Sequence, residues 1–103
     1  MNYISDISIL MVFYDETEDV IFRTLEKIKN FKIIIVDNKC NKKLKDKILS
    51  KFKIDKYYLS DKNLGFSRGF NKAISFCETE YVFIKNADCY IDQENIAKLY
   101  YYI

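Results

Sequence analysis

The chain has 103 residues, half of them hydrophobic and 17% aromatic, which suffices for one domain with a core of its own. Its 17 basic and 15 acidic residues leave a net charge of +2, which argues against a nucleic-acid partner held by charge. Without histidine, Ser-His-Asp and Cys-His catalysis and all His-ligated metal sites are excluded; a general base must be a carboxylate and a metal must have oxygen ligands.

Ile7 to Tyr14 is a near-continuous apolar run, as expected of a strand buried on both faces. It is too short to span a bilayer, and the acidic run Asp15 to Asp19 follows it rather than a signal cleavage site. That run offers N-cap candidates and negative charge for a helix whose apolar positions are Ile21, Leu25 and Ile28. Lys32 to Val36 reads as a second buried strand, ending at Asp37-Asn38. Asn41 can cap a helix with the stripe Leu44, Ile48, Leu49 and Phe52, and the lysines between Lys39 and Lys56 read as its solvated face. Asp55 to Leu59 is a shorter third strand, and Asp61 to Gly65 a turn. The next helix runs from about Ser67 to Phe76 with Phe70, Ala73, Ile74 and Cys77 inward. Tyr81 to Ile84 is the fourth strand, and Asp92 caps a last helix carrying Ile96, Leu99 and Ile103.

This alternation predicts an α/β fold with a parallel sheet and helices on both faces. Ligands of such sheets bind at the carboxyl ends of the strands, where Tyr14-Asp15, Asp37-Asn38 and Asn86-Ala87-Asp88 fall. Between them, Asn63 to Asn71 holds a glycine turn opening a helix, whose first N–H groups suit phosphate oxygens. Asp88, at a strand end, suits the divalent cation that neutralises such phosphates. The cysteines Cys40, Cys77 and Cys89 are odd in number and form no CxxC pair, so neither a disulfide framework nor a zinc site is expected, and a reducing cytosol fits. Cys77 and Cys89 read as small core hydrophobes.

On these residues the chain resembles the N-terminal half of a family 2 glycosyltransferase with a GT-A fold, in its rhamnosyltransferase-like branch. Tyr14-Asp15 stands where that family has Tyr-Asn, and Asp37-Asn38-Lys39-Cys40 where it has Asp-Asn-x-Ser. Asn63, Gly65 and Phe66 match Asn-x-Gly-Phe, Gly69 and Asn71 match Gly-x-Asn, and Asn86-Ala87-Asp88 matches the metal motif Asn-x-Asp. The likeness covers essentially the whole chain, with Cys40 in place of serine and Phe70 in place of the arginine that often precedes the helix asparagine.

The resemblance implies a three-layer α/β/α arrangement, a mainly parallel sheet in the order 3-2-1-4, and a Rossmann-like nucleotide-binding half across residues 1–103. It implies an inverting, metal-dependent transfer from a nucleoside-diphosphate sugar, UDP- or dTDP-linked, to a saccharide hydroxyl, in bacterial surface polysaccharide synthesis. The cofactor would be Mn²⁺ or Mg²⁺, held by Asp88, with Asn86 orienting Asp88 or binding ribose. Asp37 would accept from the base N3–H, with Tyr14 near base or ribose; Asp15, Asn38, Asn63 and Gly65 would join the nucleotide-sugar site, and Arg68 and Asn71 would face the diphosphate or sugar. Plainer roles stand beside these: an Asx-turn for Asp37, a helix cap for Asp15, a turn for Gly65, a polar helix side for Arg68 and Asn71. The general base of the family lies in a part beyond Ile103, so the chain reads as shortened relative to the family. The alternative is a catalytically incomplete nucleotide-binding or self-associating fragment, since the fourth strand would present an open sheet edge. The expected location is cytoplasmic, with peripheral attachment to the inner membrane left open.

Overall fold

The computed structural model describes residues 3–102. In chain order they form α1 (Tyr3–Asp6), β1 (Ile7–Phe13), α2 (Glu18–Ile28), β2 (Lys32–Asp37), α3 (Lys42–Lys51), β3 (Lys56–Leu59), α4 (Gly65–Ile74), β4 (Tyr81–Ile84) and α5 (Gln93–Tyr101). The single turn α1 has no counterpart in the sequence reading; its Tyr3 ring packs beside Phe31 and Tyr100.

The strands form one sheet in the order β3-β2-β1-β4, and every neighbouring pair is parallel. This is the 3-2-1-4 order implied by the resemblance. β1 lies inside the sheet and is buried along its whole length, which explains its unbroken apolar run. Its alternate side chains feed two cores. Ile7, Ile9, Met11 and Phe13 pack with Ile21, Leu25 and Ile28 of α2, Ile48 of α3 and Ile96 of α5. Leu10 and Val12 pack with Ile34, Val36 and Ala73, so α4 covers the opposite face. On β4, Tyr81 and Phe83 join the larger core, whereas Val82 and Ile84 are 43% and 50% exposed.

Local chemistry sets the helix starts. Thr17, within the acidic run, caps α2 by accepting from the Val20 N–H, so Asp15 is not the cap. Asn41 and Asp92 cap α3 and α5 as expected, accepting from Leu44 N and Asn95 N at 3.0 Å. β1 ends at Phe13, which leaves Tyr14 in the following loop. Leu49, Ile74 and Leu99, expected inward, are exposed. Each is the sequence neighbour of a buried residue (Ile48, Ala73 and Tyr100), and one step along a helix turns a side chain by about 100°. Cys77 packs against the α4 core as expected, but Cys89 is exposed because it closes a surface turn. Ile103 lies outside the described residues.

α4 begins at Gly65, two residues before the expected start. Gly65 has φ 75°, a region that L side chains rarely adopt. Gly69 matters for a different reason. A Cβ there would sit 2.8 and 3.0 Å from the two Val12 methyls, so glycine allows α4 to lie close on β1.

Candidate functional site

The carboxyl ends of β2, β1 and β4 open onto two adjoining cavities. The first, about 370 Å³, lies on the β2 side and is lined by Val12, Tyr14, Asp15, Glu16, Asn38, Asn63, Gly65 and Phe66. The second, about 380 Å³, lies on the β4 side and is lined by Asp15, Glu16, Phe66, Asn86, Ala87 and Asp88 among others. Val12, Asp15, Glu16 and Phe66 border both, so the pair forms one cleft across the end of β1. The chain proceeds from β1 outward to β2 and β3 but later returns to the other side as β4. The cleft therefore lies at the switch point where parallel sheets bind ligands.

Asp37 lines neither of these two cavities and is 1% exposed. Its Oδ1 accepts from Lys39 N at 2.9 Å; its Oδ2 accepts from Asn41 N at 3.2 Å and from the Tyr57 hydroxyl at 2.9 Å. The Asx-turn role is therefore present in the fold. Asp37 also borders a small cavity of about 100 Å³ with Tyr14, Asp15, Lys39 and Asn41. Asn38, also buried, joins two elements: its Oδ1 accepts from Leu64 N at 3.2 Å and its Nδ2 donates to Gly65 O at 3.4 Å. Asn63 Oδ1 accepts from Gly65 N at 2.9 Å. These asparagines hold the turn that opens α4, whose own N-cap position, Leu64, makes no side-chain cap bond. The turn thus brings Gly65 and Phe66 to the cleft edge, with the Gly65 N–H engaged by Asn63.

Tyr14 is exposed, and its N–H donates to Glu16 Oε2 at 2.7 Å. The Lys39 ammonium lies 4.8 Å from the centre of the Tyr14 ring and 3.7 Å from Asp15 Oδ1. Asn86 and Asp88 project from a turn closed by the bond from Cys89 N to Asn86 O, 3.1 Å. Arg68 and Asn71, by contrast, are exposed on α4 and line neither cavity.

Asp15, Glu16 and Asp88 make the β4 side of the cleft acidic, with no basic side chain in its lining. Among the described residues, no three acidic or cysteine side chains converge as a metal cage of their own. The donor set fits a hard cation shared between one carboxylate and the oxygens of a bound phosphate ligand, the usual arrangement for Mg²⁺.

Three participants escaped the sequence reading. Glu16 gives no local signal. Phe66 was named only as part of a motif, yet it borders both cavities and its ring stacks on Phe70. Lys85 did leave a signal: alternation along Tyr81 and Phe83 puts position 85 on the inner face, where a lysine is out of place. Lys85 is 3% exposed, and burial lowers its ammonium pKa to about 8, with Cys89 and Asp88 opposing that shift.

The family model described as Glycosyl transferase family 2 matches residues 8–103. The chain belongs to that family. Its fold is similar to that in the crystal structure of S. aureus TarS 1-349, with a TM-score of 0.71 and 21% sequence identity over 95% of this chain. The match takes in 32% of the TarS chain, so this chain spans about a third of that relative's length. No match is found among curated proteins.

Proposed function

We propose that this chain forms the donor-binding part of an inverting, metal-dependent glycosyltransferase that uses a UDP- or dTDP-sugar. The observation that carries the reading is the continuous cleft across β2, β1 and β4, with Tyr14, Asn38 and Asn63 at one end, Asn86 and Asp88 at the other, and Asp15 and Glu16 bordering both. The base and ribose would occupy the β2 side, against Tyr14, Asn38 and Asn63, and the diphosphate would extend toward Gly65, Phe66 and Asp88. Asp37 would meet the base edge through the small cavity, where its carboxylate has acceptor capacity beyond its three donors. Arg68 and Asn71 would act on the sugar from the rim of α4. Asp88, oriented by Asn86, would hold Mn²⁺ or Mg²⁺ jointly with the phosphates. When bound, the metal would stabilise the departing nucleoside diphosphate.

In the reaction, an acceptor hydroxyl attacks the anomeric carbon, a general base takes its proton, and the glycosidic bond to the diphosphate breaks. Asp92 and Glu94 are not assigned as that base. Asp92 is engaged as the α5 cap, and Glu94 belongs to the first turn, where the helix dipole favours a negative charge. Bacterial surface polysaccharide synthesis in the rhamnosyltransferase-like manner is part of this reading. So is a cytoplasmic site of action, which the three free cysteines support. No helix among the described residues is long and apolar enough to cross a membrane.

The test is calorimetric and thermal titration with UDP and dTDP, with and without Mn²⁺, beside Asp88→Ala. At a hundredfold excess over Kd the fold should gain about 2.7 kcal/mol. The gain should depend on Mn²⁺ and disappear in Asp88→Ala. Absence of any gain with either nucleotide would refute the donor site. A second reading, self-association of an incomplete catalytic unit, is supported by the uncovered Val82 and Ile84 on the edge strand β4.

A further inference from the structure

We propose that Lys85 and Thr24 form an internal clamp that positions the Asn86–Cys89 turn, so that Asn86 and Asp88 face the cleft. The inference rests on the donor-site reading for its functional consequence and on the following geometry for its structural one. Lys85 follows β4, and its backbone N–H extends the ladder by donating to Leu10 O at 3.1 Å. Its side chain enters the larger core beside Met11, with Nζ 3.9 Å from the Met11 sulfur. There Nζ donates to the Thr24 hydroxyl of α2 and, at 3.2 Å, to Asn86 O. The hydroxyl of Thr24, fully buried, donates in turn to Cys89 O at 3.2 Å.

Both ends of the turn are therefore tied from below. The carbonyl of Asn86 is held by Lys85 and that of Cys89 by Thr24, while the Cys89 N–H closes the turn onto Asn86 O. With the carbonyls drawn inward and Ala87 packed at 2% exposure, Asn86 and Asp88 are left exposed at the cleft.

A purely structural role explains this arrangement poorly. The partners of the ammonium are a hydroxyl, a carbonyl and a thioether, and no ion pair between described residues includes Lys85. A methionine at this site would fill similar volume without the cost of burying a charge. Lysine is explained if orienting the turn, rather than filling the core, is what the position requires. Residues that orient the groups around a metal commonly change its affinity by about tenfold or more.

The experiment pairs Lys85→Met with Thr24→Val and Thr24→Ser. It reads unfolding stability, Mn²⁺-UDP and Mn²⁺-dTDP affinity, and hydrogen exchange of the 87–89 amides. Lys85→Met should keep or raise stability, weaken nucleotide binding by about tenfold, and speed exchange across the turn. Thr24→Val should also weaken binding, and Thr24→Ser, which keeps the hydroxyl, should restore it. Unchanged affinity and exchange in Lys85→Met would overturn the clamp while leaving the donor site standing. If the parent chain binds neither nucleotide, the donor reading fails, and exchange decides alone: faster exchange in Lys85→Met upholds the clamp, and unchanged exchange overturns it.

Discussion

Asp37 ends a buried strand and yet keeps a carboxylate out of water, because three donors converge on it. Two are backbone N–H groups of the loop that it shapes. The third, the Tyr57 hydroxyl, comes from β3 and ties the loop to the sheet. Burial first, then the Asp37 charge, push the Tyr57 phenol above its ordinary pKa, so it remains a donor at physiological pH. Tyr57→Phe removes one charge-assisted bond and should cost about 1.5–3 kcal/mol in denaturant unfolding. A cost below about 0.5 kcal/mol would show that water takes the place of the hydroxyl, and that the loop does not depend on Tyr57. The placement of Asp37 at a strand end was legible from the apolar run before it. Its partner Tyr57, twenty residues on, was not, because that contact exists only once β2 and β3 pair.

Helix α4 carries the cleft wall formed by Gly65 and Phe66, and its distance from β1 is set by Gly69 against Val12. Val12 is β-branched, 2% exposed and on an interior strand, so it has little room to yield. Gly69→Ala should gain about 1 kcal/mol of helix propensity but lose more to overpacking, for a net destabilisation of about 1–2 kcal/mol. Val12→Ala should destabilise by itself through a cavity, yet in that background Gly69→Ala should become neutral or stabilising. Denaturant unfolding of the double-mutant cycle checks this; additive effects would mean that the two residues do not meet. The glycine motif was visible in the sequence, but its physical content differs from one glycine to the other. Gly65 serves a positive φ and Gly69 a close approach.

For the whole molecule, the sheet is protected unequally. Helices α2, α3 and α5, with α1 beside them, cover one face, and α4 covers β1 and β2 on the other, leaving Val82 and Ile84 of β4 uncovered. Val82 and Ile84 there, with β4 paired to β1 alone among the described residues, favour pairing with another strand. Sedimentation velocity over a concentration series should show dimers that Val82→Lys and Ile84→Lys suppress. A strictly monomeric species at the highest concentration would rule this association out.

The sequence by itself determined the alternation of strands and helices, the caps at Asn41 and Asp92, and the placing of Asp37 at a strand end and of Asp15 and Asp88 in the loops just beyond two others. These follow from local periodicity and short-range hydrogen bonding, which the chain carries along its length. The tertiary structure decided which polar residues share the cleft and which, such as Arg68 and Asn71, stay outside it. It also decided that three donors converge on the buried Asp37 and that Lys85 reaches Thr24 across the core. Those relations depend on strand order and on the distance between packed layers, which arise only when segments remote in sequence exclude water together.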